Sequence, residues 1–380
     1  KSSNSDETLA KATETVTLEF TSSEAIEDPS VLINGVAATL TGYGTSWQAT
    51  YPVPEYRAKV STIAGQAGVF GLNNGQGFEA RMKYPYGLAF DSAGNLYFSD
   101  QGNHSIRKID SSGNITTFAG SGTAGSGDGQ GLLASFNNPY GIVFDQADNL
   151  YVVDNLNKII RKIDPSGYVS TFAGNGTASL IDGQGTDASF NGPTNIAIDS
   201  LGNLYVSEYG SSSIRKITQS GYVSTFAGTG SRGSNNGQGT SASFDRPYGL
   251  VFDSSSHLYV GDYGNHVIRK IDPSGNVTTF AGMMDSSGFS DGQGTSASFY
   301  GPVGLTIDPK GNLYVTDQKN HLIRKIDPSK KVTTLAGQTR TSGSTDGIGD
   351  ISSFNVPYGI LSDENGNVFV ADLVNHTIRK

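Results

Sequence analysis

The chain has 380 residues, enough for one large or two smaller domains with a core needing no covalent staple, and it contains no cysteine, which excludes disulfides and thiolate chemistry. Fifty glycines and only 16% charged residues describe a turn-rich β protein. A formal charge of -9, with 12 of 26 basic residues dealt evenly into six Ile-Arg-Lys triplets, argues against a nucleic-acid groove, and no apolar run reaches membrane-spanning length.

The N-terminus lacks an apolar signal core, so export would imply a trimmed form. Residues 1–57 differ from the rest. Alternation of apolar and polar residues around Val16, Leu18 and Phe20, over 31–40 and over 47–53 predicts three or four short strands. These stretches, including Trp47, the single Trp, resemble the middle of a bacterial Ig-like domain. A whole sandwich of that kind takes about seven strands. The segment is therefore expected to be incomplete, with open strand edges available to a neighbouring chain.

From residue 58 the chain repeats. A Pro recurs at 85, 139, 193, 247, 302 and 357, spaced by 54 or 55 residues. Each unit holds four short apolar runs separated by turn signals such as Asp91-Ser-Ala-Gly-Asn95, which fits a propeller blade. The six-residue phrase Val60-Ser-Thr-Ile-Ala-Gly65 returns after each of the first five Ile-Arg-Lys triplets, and none follows the sixth.

The pattern Pro-x-Gly, Gly-Asn-Leu-Tyr-Val and Asn-His-x-Ile-Arg-Lys-Ile-Asp resembles the NHL-repeat family of β-propellers. That resemblance implies an all-β fold of six four-stranded blades over 58–380, with the Pro-x-Gly strand innermost. The ring would be closed by the phrase at 60–65 joining the C-terminal blade, with Val60, Thr62, Ile63 and Ile378 at the closure.

Candidate sites lie on the face where the long loops enter. Each loop carries a Gly-rich core such as Asp128-Gly-Gln-Gly131, read as turn-forming and pinned by Phe136, Phe190, Phe244, Phe299 and Phe354, with calcium coordination as the lesser alternative and no other cofactor expected. A ring of acids, Asp100, Asp154, Glu208, Asp262, Asp317 and Asp372, closes the next turns, where the carboxylates are expected to accept backbone N–H groups. Four of the five His follow at one position per blade, too dispersed for a shared metal.

Tyr86, Tyr140, Thr194, Tyr248, Val303 and Tyr358 begin the innermost strands, so the channel mouth is the candidate ligand site. Gly288-Phe-Ser-Asp-Gly292 matches a nucleophile elbow in letters only, without a helix after it. Where the resembling lyases carry metal-binding His just after the Pro, this chain has Tyr, Thr or Val.

The expectation is a non-catalytic extracellular or cell-surface module. It would bind protein or glycan through the propeller, with a fibre built by strand donation, its donor arm near residues 1–15, as a specific form. The alternative is a propeller enzyme of lyase or lactonase type acting at the channel mouth.

Overall fold

The computed structural model describes residues 15–21, 32–33, 36–37, 39–52 and 58–380. They form two compact units, Lys1–Ala58 and Lys59–Lys380. In the first, β1 (Thr15–Thr21), β4 (Thr39–Tyr43) and β5 (Ser46–Pro52) make an antiparallel sheet in the order β1-β5-β4, while β2 (Leu32–Ile33) and β3 (Val36–Ala37) pair separately. Among the described residues β1 and β4 each have one neighbour. The donor arm expected near residues 1–15 falls, apart from Thr15, outside the described residues.

The second unit is a six-bladed propeller. After β6 (Lys59–Val60) and β7 (Thr62–Ala64), the first blade consists of β8 (Gly75–Gln76), β9 (Pro85–Phe90), β10 (Leu96–Asp100), β11 (Ser105–Ile109) and β12 (Asn114–Ala119). Their order, β8-β12-β11-β10-β9, corrects the four-stranded blade expected from the sequence. The extra strand is the Gly-Gln of the Gly-rich core, which runs across the outer edge of the blade and pairs with Asn114 and Ile115 before the chain enters the axis. Two residues are too few to show an alternating pattern, so the sequence reads as a turn. Four more blades repeat this order.

The sixth blade takes its inner strands from Pro357–Ser362, Val368–Asp372 and Thr377–Arg379, and its outer strand from β7, with Ile378 opposite Ala64 and Arg379 opposite Thr62. Ser61 exchanges both backbone hydrogen bonds with Lys380 at 2.8 Å, and Val60 faces Gly347 on the other side. Ile378 is fully buried, packed in one cluster with Ala64 and Leu88 of the first blade.

The Pro-x-Gly signature has a steric cause. A Cβ at Gly87 would lie 2.5 Å from the Tyr140 carbonyl oxygen of the next inner strand, at Gly359 1.9 Å from that of Tyr86, and at Gly249 2.0 Å from that of Val303. Inner strands crowd the axis so closely that a side chain would collide with backbone. Blade three has Asn195 here, and its inner strand pairs differently, Asn195 facing Ser207 where the other blades skip a residue.

Each blade is tied by a buried Arg. Arg107, Arg161, Arg215, Arg269, Arg324 and Arg379 are the largest buried side chains. Arg161 is representative: one terminal nitrogen, Nη1, donates to Asp154 at 3.1 Å and to the Ser135 carbonyl at 2.9 Å, while the other donates to the Gly127 carbonyl and to Asp128. Its guanidinium lies 5.3 Å from the centre of the Phe136 ring. In blade one the Phe position holds Met82, also fully buried. The loop cores are thus held by the Arg, whose partner at their first position is Asn74, Asp128, Asp182, Asn236, Asp291 or Asp346.

Two outcomes are expected. Arg161→Met leaves Asp154 charged and buried, costing about 3–5 kcal/mol in urea unfolding, whereas Asp128→Asn at the half-exposed end of the same network costs under about 1 kcal/mol. Deleting residues 59–64 removes the outer strand of the sixth blade and should broaden and lower the melting transition by circular dichroism; an unchanged transition contradicts the pairing described.

Candidate functional site

The six acids end their strands in buried positions, and both oxygens of each carboxylate accept hydrogen bonds from protein donors. Asp100 accepts from the Lys83 backbone N–H, from Asn103 and from Arg107 at 2.6, 2.8 and 2.9 Å. Burial lifts the carboxyls of Asp100, Asp154 and Asp372 to about 6 and that of Asp262 to about 7, against the pull of Arg and Asn. Blade three substitutes two residues together. Glu208 is one methylene longer and reaches Ser211 and Ser213 at 2.5 and 2.9 Å, so the longer acid meets the shorter donor.

The four repeated His are joints between blades. His104 Nδ1 accepts the Asn138 N–H at 3.1 Å; His266, His321 and His376 accept those of Gly301, Val356 and Tyr84. Each of these four His sits in the left-handed region, with φ of 52–60°, to aim its ring at the next blade. Ser212 takes the same conformation in blade three and accepts from Arg246. These rings are each committed to a different joint, and among the described residues no group of three His, Asp or Glu is placed to hold a metal.

The candidate ligand residues separate into two sets. Tyr86, Thr194 and Val303 are buried, at 3, 2 and 3% exposure, while Tyr140, Tyr248 and Tyr358 are half-buried. Tyr86 is stacked on Tyr140 with ring centres 4.2 Å apart and touches Tyr358 at 4.8 Å; Tyr248 lies 6.1 Å from Tyr358. Thr194 instead hydrogen-bonds Ser207. Burial pushes the hydroxyls of Tyr86, Tyr140, Tyr248 and Tyr358 above their ordinary value.

Two residues missed by sequence reasoning extend this ladder outward. Tyr209 and Tyr263, each directly after a ring acid, lie 5.6 and 5.3 Å from Tyr248. Beyond them Arg246 stands over Tyr209, and the Lys319 ammonium lies 5.0 Å from the Tyr263 ring and 4.7 Å from the Tyr300 ring. Tyr209, Tyr263 and Tyr300 are half-buried, and Lys319 is exposed. Their signal in the sequence is that they break the repeat: the position after the acid is Gln101, Asn155, Gln318 or Leu373 in the other blades.

Comparison with known proteins supports this architecture. Residues 299–326 match the NHL repeat. The chain is 33% identical over 318 residues to the protein Suppressor of quenching 1, chloroplastic, of Arabidopsis thaliana, covering 78% of this chain and 30% of that protein. It is 31% identical over 336 residues to NHL repeat-containing protein 2 of Bos taurus, covering 78% and 46%. The chain therefore spans less than half the length of these relatives. Among solved structures, an auxiliary nutrient binding protein from Bacteroides thetaiotaomicron superposes with a TM-score of 0.65 at 18% identity, covering 92% of this chain and 89% of that one. Virginiamycin B lyase from Staphylococcus aureus superposes at 0.52 with 16% identity, covering 78% and 94%. At such identities the structures share the fold alone.

The joints carry a pH signature. Burial holds the four repeated His below their ordinary value of 6.5, and a protonated Nδ1 could not accept the backbone N–H of the next blade. Their contribution to stability is complete above 6.5 and is lost as pH falls below it through their lowered folded values, while the raised acids contribute fully below 3.8 and lose that contribution as pH rises through about 6 to 7. The quantity to measure is the Tm difference between the native chain and a variant with Ser at 104, 266, 321 and 376. It should shrink as pH falls from about 7.5 to about 5.5; a constant difference contradicts neutral joints.

Proposed function

We infer that the propeller is a non-catalytic binding platform whose working surface is the mouth of the axis on the face carrying the acid-ended turns. The observation that carries this reading is the half-buried cluster in which Tyr248 meets Tyr358, Tyr209 and Tyr263, flanked by Arg246 and Lys319. Amphipathic rings held rigid by one another present contact area without further ordering cost, as recognition surfaces do.

The chemistry of the other polar groups supports binding over catalysis. Acids that a hydrolase or lyase would use are saturated by Arg, Asn and backbone donors, and the repeated His are spent on joints. Burial keeps the tyrosyl hydroxyls protonated, so they offer no base near neutrality. Nutrient binding in a protein of like fold is consistent with this reading. In the N-terminal unit, the single neighbour that β1 and β4 each have among the described residues supports a role in strand addition from another chain.

The test is a glycan and peptide array probed with the full chain and with a Tyr209→Ala/Tyr248→Ala/Tyr263→Ala variant of checked melting temperature. Partners of the native chain should bind the variant at least about tenfold more weakly. Equal binding to both would place the working surface elsewhere.

A further inference from the structure

Five Asn-Gly pairs lie in the propeller, with Asn at 74, 175, 191, 236 and 365, and a sixth, Asn34-Gly35, falls outside the described residues. In such a pair the Gly backbone nitrogen can attack the side-chain amide carbon of Asn, because no Cβ hinders its approach and the Gly backbone turns freely. The attack needs an unengaged Gly N–H, an accessible Asn side chain and room for the peptide to rotate. Folding withholds these conditions from four of the five pairs.

Asn74 and Asn236 open the loop cores of blades one and four. Gly75 and Gly237 stand in two-residue strands opposite Ile115 and Val277, and the Asn oxygens accept from Arg107 and Arg269 at 3.0 and 2.8 Å. In Asn365-Gly366 the Gly N–H donates to the Asp363 carbonyl at 3.1 Å. Asn191 is half-buried, with its N–H on Glu208 at 2.8 Å and its carbonyl accepting from Gly210 at 3.0 Å. Its side chain is packed so tightly on Gly210 that a Cβ there would lie 2.4 Å from Oδ1.

Asn175-Gly176 differs on each count. Residues 175–178 are exposed, and the Gly176 N–H has no hydrogen-bond partner among the described residues. A Cβ at Gly176 would meet only the Asn157 carbonyl, at 3.5 Å. The Asn175 side chain is also turned toward the reaction. Its Oδ1 accepts the Thr177 N–H at 2.9 Å, which folds the amide back over the Gly176 peptide and draws electron density from the carbon under attack. In two other blade connections hydroxyls close the corresponding turn, Ser121 accepting from Thr123 and Thr229 from Ser231. Of these three turns, the one at Asn175 alone brings an amide to this place.

We propose that Asn175 is a site of spontaneous deamidation, the one Asn-Gly pair among the described residues that the fold leaves reactive. The Gly176 nitrogen bonds to the Asn175 side-chain carbon, the amide nitrogen departs with the Gly176 proton as ammonia, and a five-membered succinimide closes. Water then opens either carbonyl of that ring, giving Asp or isoaspartate, with no oxidant or reductant involved. The Asp product keeps a side-chain oxygen for the Thr177 N–H and adds one negative charge. Isoaspartate carries the main chain through the side-chain carbon, one atom longer, just ahead of Ala178, which is bridged to Phe190 beneath the Arg215 guanidinium.

The experiment is peptide mapping by mass spectrometry of the full chain held in mildly alkaline buffer, native and in urea, with fragment ions locating each conversion. In urea the five pairs should convert at comparable rates. In the native chain Asn175 should stay within a few-fold of its unfolded rate, while each of the other four slows by at least about tenfold, since reaction there requires local opening. Isoaspartate methyltransferase should label the fragment holding residue 175 in the aged native chain. Asn175→Ser, which installs the hydroxyl found at Ser121, should keep the melting temperature and remove that label. Two results would overturn the proposal. One is Asn175 staying intact in the folded chain over a time that converts it in urea; the other is any of the remaining four pairs converting as fast as Asn175 in the folded chain.

Discussion

The structure depends on six guanidinium groups taken out of water. A buried Arg is tolerable only when its charge is matched and most of its donors are met. In each blade the acid at the end of one strand, two loop carbonyls and a side chain at the start of the Gly-rich core satisfy both terminal nitrogens, and only Nε is buried without a hydrogen-bond partner. Because the Arg stands on the third strand and its partners come from the second strand and the long loop, the network fixes the loop to the blade. The loop in turn delivers the chain to the axis. The crowded inner strands, the left-handed joints and the mouth all inherit their positions from this arrangement.

Much of this was legible from periodicity. A spacing of 54 or 55 residues with four apolar runs specifies blades, and counting the phrase against the triplets points to the outer strand near residue 60. What the sequence concealed was direction. In Ile-Arg-Lys two cations stand side by side, and only the pleat says that Arg107 points into the blade while Lys108 is partly exposed over Tyr97. Even distribution of Arg, read only as arguing against a nucleic-acid groove, marks one buried knot per blade. The repeated His, read from the sequence only as too dispersed for a shared metal, are hydrogen-bonded joints, a role that needs the neighbouring blade in place.

The mouth was only half visible for a different reason. Reading a repeat means averaging over its copies, and averaging recovers what the blades share. Tyr209, Tyr263 and Lys319 occur in one or two blades each and vanish in a consensus. Residues shared by all blades build the ring, whereas residues peculiar to a few give the axis a front and a back. In blade three the paired change to Glu208 and Ser211 preserves the knot, so departures from consensus are of two kinds, compensated and uncompensated. The uncompensated ones gather at the mouth.

The Gly-Gln strand has a further consequence. It leaves the outer strand of one blade, crosses the edge of the next, and only then begins that blade from its centre. The stretch of chain that repeats is therefore offset from the object it builds, like a row of bricks laid half a length out of step. A duplication of one sequence unit adds no free-standing blade, only a piece interlocked with the blades on either side. The seam at residues 59–64 is one of six made to the same plan, Gly347 facing Val60 and Ile378 facing Ala64 as Gly129 faces Val169 and Ile160 faces Ala173.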